Sequence, residues 1–368
     1  MPVSPLPKSP TLQKKNHLRS WSSLMKTPKE IIESYSGRSM RIMEVCGTHT
    51  HEIFRCGIRK ILPPQVELIS GPGCPVCVTP PGYIDSAVEL ALKHNCMICT
   101  FGDLIRVPGS QLSLAGARSQ GAKIKAVYTP LDAVEIAAAN PQEEVVFLAV
   151  GFETTVPSAC LAVKHAQMQN LRNFSILGSN KTMPNAYRAL GKCADAFLYP
   201  GHVHTIIGSG ICRELLADGI SGVVAGFQAD ELLTALAVIL HHAEAGDEPF
   251  FENCYRRIAK DTGNPAAVKL IEEFMTPCDA EWRGLGVIPG SGLKINKTYE
   301  NFDARCKFNV PECSGTPHAG CRCGEILKGI LKPQECPLFG KVCTPVNPVG
   351  ACMVSHEGSC SAYYQYGR

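Results

Sequence analysis

Short apolar runs alternate with helical patterns from about residue 40 to residue 240 of the chain. In the segment Pro80–His94, apolar residues recur at the spacing of one helical face, which predicts an amphipathic helix. Strands that alternate with helices are typical of largely parallel sheets covered by helices, so the pattern predicts an α/β fold. The runs that predict strands are Met40–Val45, Val66–Ile69, Met97–Phe101, Ile124–Tyr128, Val145–Val150, Phe174–Leu177, Ala196–Leu198 and Val223–Ala225.

The 368 residues are enough for more than one domain, and the pattern changes along them. Residues 1–30 are rich in Lys, Ser and Pro and lack the apolar core of a secretory signal, so we expect a loose N-terminal extension. The strand–helix alternation is expected to form two similar parallel-sheet α/β domains, 31–140 and 141–242. Residues 243–368 are expected to form a C-terminal Cys-rich domain, helical near 264–275 and poor in strands from 281 onward.

The composition argues against a role at membranes or on nucleic acids. Hydrophobic residues make up 45% of the chain, as in ordinary globular proteins, and no run approaches the roughly 18 apolar residues of a membrane span. A net charge of +3 without a long basic run gives no electrostatic footprint for nucleic acid. The odd count of 19 cysteines argues against complete disulfide pairing. We therefore expect a cytoplasmic protein whose cysteines serve metal or redox chemistry.

Glycine motifs follow nearly every predicted strand. In open α/β sheets, ligands bind beyond the carboxyl ends of the strands, so these motifs are expected to lie at the functional edge. A cleft between two such sheets would bring several of them together. The motifs begin at Cys46-Gly47, Gly71-Pro72-Gly73, Gly102, Gly151, Gly201 and Gly226.

A turn rich in glycine and proline carries Cys74 and Cys77, two thiols that can close a disulfide or hold a soft metal. Their spacing from Cys96 and Cys99 falls in the range of a zinc ribbon. The second pair, however, lies in a predicted strand, where residues three apart point to opposite faces. We interpret Cys96 and Cys99 as core residues and Cys74 and Cys77 as a reactive dithiol. A following helix, with Thr79 as its N-cap, is expected to lower the thiol pKa.

The segment after the first predicted strand is dense in metal-ligand types. A Cys46 thiolate at the strand end suits Fe(II) or another soft-to-borderline metal, with His49 or His51 as a ligand or proton relay. The same segment also reads as a helix start capped by Thr48 or Thr50, and both interpretations can hold together.

Glu153, His202 and His204 are weaker candidates. Glu153 stands in the motif Gly151-Phe152-Glu153-Thr154-Thr155, which could simply turn the chain and begin a helix. The two histidines follow the Pro200-Gly201 pair, where a structural role is as reasonable as a chemical one.

The C-terminal tail places cysteines beside turn-forming residues. Four thiolates in irregular backbone suit a [4Fe–4S] cluster, which tolerates variable ligand spacing and would stabilise a segment with little core. A zinc site or buried thiols are the alternatives, although the tail lacks the tight pairs that zinc knuckles prefer. The four cysteines are Cys323, Cys336, Cys343 and Cys360.

Together these motifs resemble the HypD family of hydrogenase maturation, or hydrogenase expression/formation, proteins. The resemblance covers about residues 30–368 and departs at Val156 and at Phe227-Gln228-Ala229-Asp230, neither of which is a proposed ligand. The motifs that carry it are Glu44–Glu52, Gly71–Pro80, Gly151–Thr155, Pro200–Val203, Glu281–Gly286, Cys336–Gly340 and Met353–Cys360.

The resemblance implies a scaffold for assembling the Fe(CN)2CO group of [NiFe]-hydrogenases. It implies that a HypC-type chaperone shares one iron atom with the chain, which is a monomer when alone, and that a HypE-type partner donates cyanide. Cys46 would ligate the iron with help from His49, and Cys74 and Cys77 would form a redox dithiol, with Glu153 lining the cleft. Four tail cysteines match the family positions for a [4Fe–4S] cluster, namely Cys323, Cys336, Cys343 and Cys360. Cys321 and Cys352 are not fixed parts of that pattern.

Two other functions stay open from the residues. A stand-alone thiol-disulfide oxidoreductase would reduce a substrate disulfide through Cys74 and Cys77 and would need neither Cys46 nor a stable partner. A zinc-stabilised binding module would be colourless. Whether the chain turns over a substrate as an enzyme is left open.

Overall fold

A computed structural model of the protein describes residues 26–367, which form two β-sheets covered by helices. The strands are β1 Met40–Glu44, β2 Val66–Ser70, β3 Met97–Thr100, β4 Ile124–Ala126, β5 Val145–Gly151, β6 Phe174–Lys181, β7 Ala196–Pro200, β8 Gly222–Ala225, β9 Phe251–Asn253, β10 Met275–Trp282 and β11 Gly286–Ile295. The helices are α1 Pro28–Glu33, α2 Gly47–Arg55, α3 Pro75–Val78, α4 Pro81–Leu92, α5 Leu114–Ser119, α6 Pro130–Ala139, α7 Val156–Met168, α8 Met183–Leu190, α9 Gly201–Ile207, α10 Ile211–Ala217, α11 Ala229–Ala245, α12 Pro265–Phe274, α13 Ala304–Phe308, α14 Cys323–Leu327, α15 Ala351–Val354 and α16 Ser359–Tyr366.

The predicted α/β class is confirmed. Sheet A has the order β2-β1-β7-β8-β9 and all its neighbours are parallel. Sheet B has the order β10-β11-β6-β5-β3-β4; β3 to β6 are parallel, and the β10–β11 hairpin joins the edge of β6 antiparallel. All eight predicted strands are present, because buried apolar runs bounded by glycine and proline are a strong local signal.

Three strands were not predicted: β9, β10 and β11. Strand β11 lies in the segment from residue 281 that was expected to be poor in strands, and β10 lies mostly just before that segment. The two strands of the β10–β11 hairpin contain few apolar residues at alternating positions, and they include Pro277 and Pro289. The pairing of the two strands also shifts in register between Cys278 and Ala280. The pattern of period two is therefore lost, although backbone pairing persists.

The domain boundary expected near residue 140 is wrong. It falls inside sheet B, because β3 and β4 precede it and β5 and β6 follow it. Likewise β1 pairs in sheet A with β7, which comes from the other side of the expected boundary. The chain thus passes from sheet A to sheet B after β2 and returns after β6. Local alternation predicts strands but not their partners, so it could not reveal this interleaving.

The expected N-terminal extension is described only in part. Residues 1–25 lie outside the described residues. The remainder is not loose, since Thr27 caps α1 in a capping box with Glu30 and the helix begins at Pro28.

Cys96 and Cys99 are fully buried, as predicted for core residues. They belong to separate hydrophobic clusters around sheet B, Cys96 with Ile98 and Leu104 and Cys99 with Phe147. This separation agrees with their expected opposite directions from β3 and removes the zinc-ribbon pairing.

The tail folds back over the functional edge of sheet A. Helix α16 packs against α2, and α15 packs against α3, so both cysteine motifs near the N-terminus are covered by C-terminal residues. None of the helices between residues 26 and 367 combines the length and apolar character needed to cross a membrane.

Candidate functional site

The glycine motifs after four neighbouring strands converge at one edge of sheet A. Strands β2, β1, β7 and β8 lie side by side and run in parallel, so the motifs beginning at Gly71, Cys46, Gly201 and Gly226 follow at the same end. The predicted placement of these motifs at one sheet edge is confirmed.

Cys46 lies at this edge of sheet A, at the start of α2. It is the N-cap residue of the helix, in extended conformation, and its side chain makes no capping hydrogen bond. Burial, assisted by the carboxylate of Glu357, raises the pKa of Cys46 to about 12. The backbone N–H groups of Thr48 and His49 oppose this shift, because they favour the thiolate and so lower the pKa of Cys46. The thiol therefore stays protonated until a cation displaces the proton, while the helix N-terminus offers donors that stabilise a thiolate.

The turn that carries Cys74 packs directly on Cys46. The amide of Gly47 donates to the carbonyl oxygen of Gly73 over 3.1 Å. A β-carbon at residue 73 would stand 2.2 Å from the amide nitrogen of Cys46, so only glycine fits this approach.

Cys77 lies on the short helix α3 and Cys74 caps the start of that helix, whereas the sequence placed both before a helix capped by Thr79. Cys74 is the N-cap residue and its sulfur accepts the N–H of Cys77 over 3.2 Å, whereas α4 begins later with Pro80 as N-cap. Both cysteines are buried, and burial raises the pKa of the Cys77 thiol. The expectation of a lowered pKa is wrong for Cys77, because desolvation exceeds the effect of a single helical turn.

His49 is held close to Cys46 with one ring nitrogen free. Its Nε2 donates to the carbonyl oxygen of Gly226 over 2.9 Å, whereas Nδ1 is buried without a hydrogen-bond partner. Burial lowers the pKa of His49 to about 4, so the ring is neutral at physiological pH. His51 differs, because its Nε2 contacts the hydroxyl of Tyr366 over 3.1 Å. Of the two histidines, His49 is the one with an available lone pair.

Glu153 is buried between β5 and α7. Its Oε1 accepts the N–H of Met183 over 2.8 Å, and Oε2 has no partner. Burial raises the pKa of Glu153 to about 7. Its neighbour Phe152 stacks on Trp282 with 5.7 Å between ring centroids, which joins this motif to the β10–β11 hairpin.

His202 and His204 occupy different environments. His202 stacks on Phe227 at the functional edge, with 3.9 Å between ring centroids. His204 is fully buried, and its Nδ1 donates to the carbonyl oxygen of Gly208 over 2.9 Å. The structural interpretation therefore suits His204.

The structure brings together the four cysteines predicted to hold a cluster. They line one small cavity whose remaining walls are mainly apolar. Four cysteine thiolates are the usual ligand set of a [4Fe–4S] cluster. Within residues 26–367, no three His, Cys, Asp or Glu side chains are grouped closely enough to hold a single metal ion. The lining residues are Cys321, Cys323, Cys336, Cys343, Cys352, Cys360, Ile326, Leu338, Phe339, Met353 and Gly350.

Cys321 and Cys352 also line this cavity, although neither was a sequence candidate. The sulfur of Cys352 lies 3.2 Å from that of Cys323, and the helix that carries Cys352 packs against α3. No spacing rule identifies such a residue. The only signal in the chain is its position beside the motif that ends in Cys360.

Arg283 and Glu357 are further residues that sequence reasoning passed over. Arg283 donates its backbone N–H to Val78 and its Nε–H to Thr79, over 2.8 and 2.7 Å, which anchors the end of α3. One of its terminal nitrogens is buried without a partner. Glu357 accepts the hydroxyl of Thr48 over 3.1 Å, so the C-terminal segment closes over the start of α2.

The chain is similar in sequence to known proteins over most of its length. The family model for HypD, described as the hydrogenase formation hypA family, matches residues 22–367. The chain is 44% identical over 340 residues to the hydrogenase maturation factor HypD of Rhodobacter capsulatus, covering 90% of each chain. It is 43% identical over 335 residues to HypD of Escherichia coli K12, covering 89% of this chain and 90% of the relative.

Proposed function

Because this chain belongs to the HypD family of hydrogenase maturation factors, we propose that it is the scaffold on which the Fe(CN)2CO group of [NiFe]-hydrogenase is assembled. A HypC-type chaperone would complete the iron site and a HypE-type protein would supply cyanide. The observation that carries the proposal is the packing of the Gly73 turn on Cys46, which brings a ligand thiol and a dithiol to one strand edge.

The iron atom would be a substrate that Cys46 holds in transit. Cys46 supplies a soft sulfur ligand, and the N–H groups of Thr48 and His49 stabilise its thiolate once the metal has displaced the proton. His49 has a free Nδ1 lone pair at the same strand edge, available as a ligand or proton acceptor. Cyanide and carbon monoxide favour low-spin Fe(II), for which a thiolate site is suitable.

The cavity in the tail would hold a [4Fe–4S] cluster through four thiolates. A bound cluster would supply one-electron redox chemistry close to α3. Arg283 supports the fit, because its guanidinium approaches Cys321 and Cys323 and has a buried nitrogen without a partner, which could compensate negative charge. The proposed ligands are Cys323, Cys336, Cys343 and Cys360.

Cys74 and Cys77 would store two electrons as a dithiol–disulfide couple beside Cys46. Their burial favours this internal role over that of a stand-alone oxidoreductase, since the side chains are only 3% and 0% exposed. A disulfide on another protein would have no direct access to either sulfur without opening the cleft.

Infrared spectroscopy tests the iron assignment. The chain is purified anaerobically with a HypC-type partner, and the Fe–CN and Fe–CO stretching bands are recorded for the wild type, Cys46→Ala and Cys56→Ala. Cys56 is the matched control, because it is an exposed cysteine at the other end of α2. We expect the bands to be absent only from Cys46→Ala. Bands of wild-type intensity in that variant would refute the assignment.

A further inference from the structure

We propose that Lys181 forms a Schiff base with a small, uncharged aldehyde or ketone that enters a cavity beside sheet B. The cavity has a volume of about 340 Å³ and lies at the carboxyl end of β6, where Gly178 and Lys181 line it. The start of α4, the β10–β11 hairpin and residues between 303 and 314 form its other walls. The proposal goes beyond the scaffold function and does not rest on it, because Cys46 belongs to the edge of sheet A.

The amine of Lys181 is buried without a carboxylate in contact. The residue is only 3% exposed, which is unusual for lysine. Its Nζ donates to the neutral hydroxyl of Ser179 over 3.3 Å and lies 5.9 Å from the ring centroid of Trp282. Glu281 and Glu312 act on the amine by charge, from beyond hydrogen-bond distance. Burial therefore dominates and lowers the pKa of Lys181 to about 8.

Burial beside a cavity makes this amine a nucleophile. A lysine attacks a carbonyl carbon only in its uncharged form, and desolvation is one way in which proteins supply that form. At pH 7, roughly one amine in ten is uncharged at a pKa of 8, compared with about one in 2,500 for an ordinary lysine. The cavity volume is near the lower limit of small-molecule sites, so the carbonyl compound must be small.

The charges of the cavity walls favour an uncharged carbonyl compound. Apart from Lys181, the acids in the walls outnumber the bases. An anionic substrate would meet this excess of negative charge, whereas the positive charge of a protonated Schiff base would be stabilised by it. The ring of Trp282 acts in the same direction, because its face attracts a cation. The acids are Asp279, Glu281, Asp303 and Glu312, and the bases are Lys294 and Arg305.

The step balances without a co-reactant. The amine of Lys181 attacks the carbonyl carbon, and a carbinolamine forms as one proton moves from nitrogen to oxygen. The C–O bond then breaks as the C=N bond forms, and the two hydrogens lost by nitrogen leave with the carbonyl oxygen as water. Asn180 offers an acceptor for the carbinolamine hydroxyl, since this residue lines the cavity and its Oδ1 is buried without a partner.

Reductive trapping of the full-length protein tests the proposal. The protein is incubated at pH 7 with acetone and cyanoborohydride, which reduces a protonated Schiff base to a stable isopropyl amine, and is then digested for mass spectrometry. The time course is compared at Lys181 and at Lys164, an exposed lysine on α7. We expect Lys181 to react at least about tenfold faster, because its larger uncharged fraction exceeds the loss from restricted access.

Gly178→Leu tests the part played by the cavity. Gly178 lines it, and a β-carbon at this residue would meet open space, so a leucine should fill part of the cavity without a clash. The reaction of Lys181 should fall severalfold in this variant, while Lys164 reacts as before. The matched control is Gly102→Leu, at a glycine with equally open space that does not line the cavity, and it should leave both rates unchanged.

Two results would overturn the proposal. The first is a wild-type protein in which Lys181 reacts no faster than Lys164, since the amine would then have no special reactivity. The second is an unchanged rate at Lys181 in Gly178→Leu, because acetone would then reach the amine by another path. Neither result depends on iron or on the infrared bands, so the test is separate from that of the scaffold function.

Discussion

Gly73 touches the backbone of Cys46 so closely that a β-carbon at residue 73 would lie 2.2 Å from the Cys46 nitrogen and 2.3 Å from its α-carbon. The contact joins the turn after β2 to the turn after β1. The contact fixes the position of Cys74 relative to Cys46, because Cys74 directly follows Gly73 in the chain.

Gly73→Ala should therefore disturb both the fold and the site. The atoms that the new methyl group would meet belong to backbone and cannot move aside, so we expect unfolding to become easier by about 1–3 kcal/mol. The matched control is Gly102→Ala, at a glycine that follows β3 and has open space around it. Chemical denaturation measures the difference. Equal stability of the two variants would contradict the close approach.

The tail cavity gives a prediction on metal content. Cys336→Ala should lose most of the iron and acid-labile sulfide of the anaerobically purified protein, because a cluster held by three thiolates is less stable. Cys96→Ala should retain both, since Cys96 is a core residue beneath sheet B. The measurements are iron and sulfide per chain and the visible absorbance. A wild-type preparation that contains zinc but no sulfide would refute the cluster.

Glu153 should make the protein less stable as the pH rises. Burial raises its pKa from 4.5 to about 7, so ionisation in the folded state is costly and the stability is fully present only below pH 4.5. The loss through pH 7 corresponds to about 3 kcal/mol. Glu153→Gln should remove it, so that the variant gains stability relative to the wild type at pH 8 but not at pH 4.5.

Urea unfolding at the two pH values measures this difference. Glu272→Gln, at an exposed position on α12, is the control and should not change the pH dependence. If Glu153→Gln had the same effect at pH 4.5 and at pH 8, the buried carboxyl would not be the group that titrates.

The edge of sheet A could be predicted from the sequence, because strand ends and glycine turns are local features. Cys46 and Cys74 follow apolar runs that pair as β1 and β2, so their convergence followed from the parallel order. The pairing of β1 with β7 could not be predicted, since Glu44 meets Leu198 across a long separation that no periodicity records.

Cys352 and Arg283 show a second limit on what can be predicted from the sequence. Their surroundings are contributed by distant segments, because α3 packs against the helix that carries Cys352, and Val78 and Thr79 accept hydrogen bonds from Arg283. Sequence spacing can identify a ligand set within one segment. It cannot identify a side chain that acts between two segments.

His204 provides a prediction for acidic conditions. The ring is fully buried and donates Nδ1–H to Gly208, and burial lowers its pKa from 6.5 to about 4. Between these values the unfolded chain binds a proton that the folded chain does not. The contribution of His204 is therefore fully present above pH 6.5 and is lost as the pH falls through 4, by about 3 kcal/mol in total.

His204→Gln should accordingly weaken the dependence of the unfolding free energy on pH between 6.5 and 4. His49 has the same lowered pKa, so part of the slope should persist in the variant. His165→Gln, at an exposed position on α7, should keep the wild-type slope. The slope of the unfolding free energy against pH distinguishes the loss of a titrating group from the loss of a packing contact, because a lost contact lowers stability equally at every pH. An unchanged slope in His204→Gln would mean that the pKa of this ring is the same in the folded protein as in the unfolded chain.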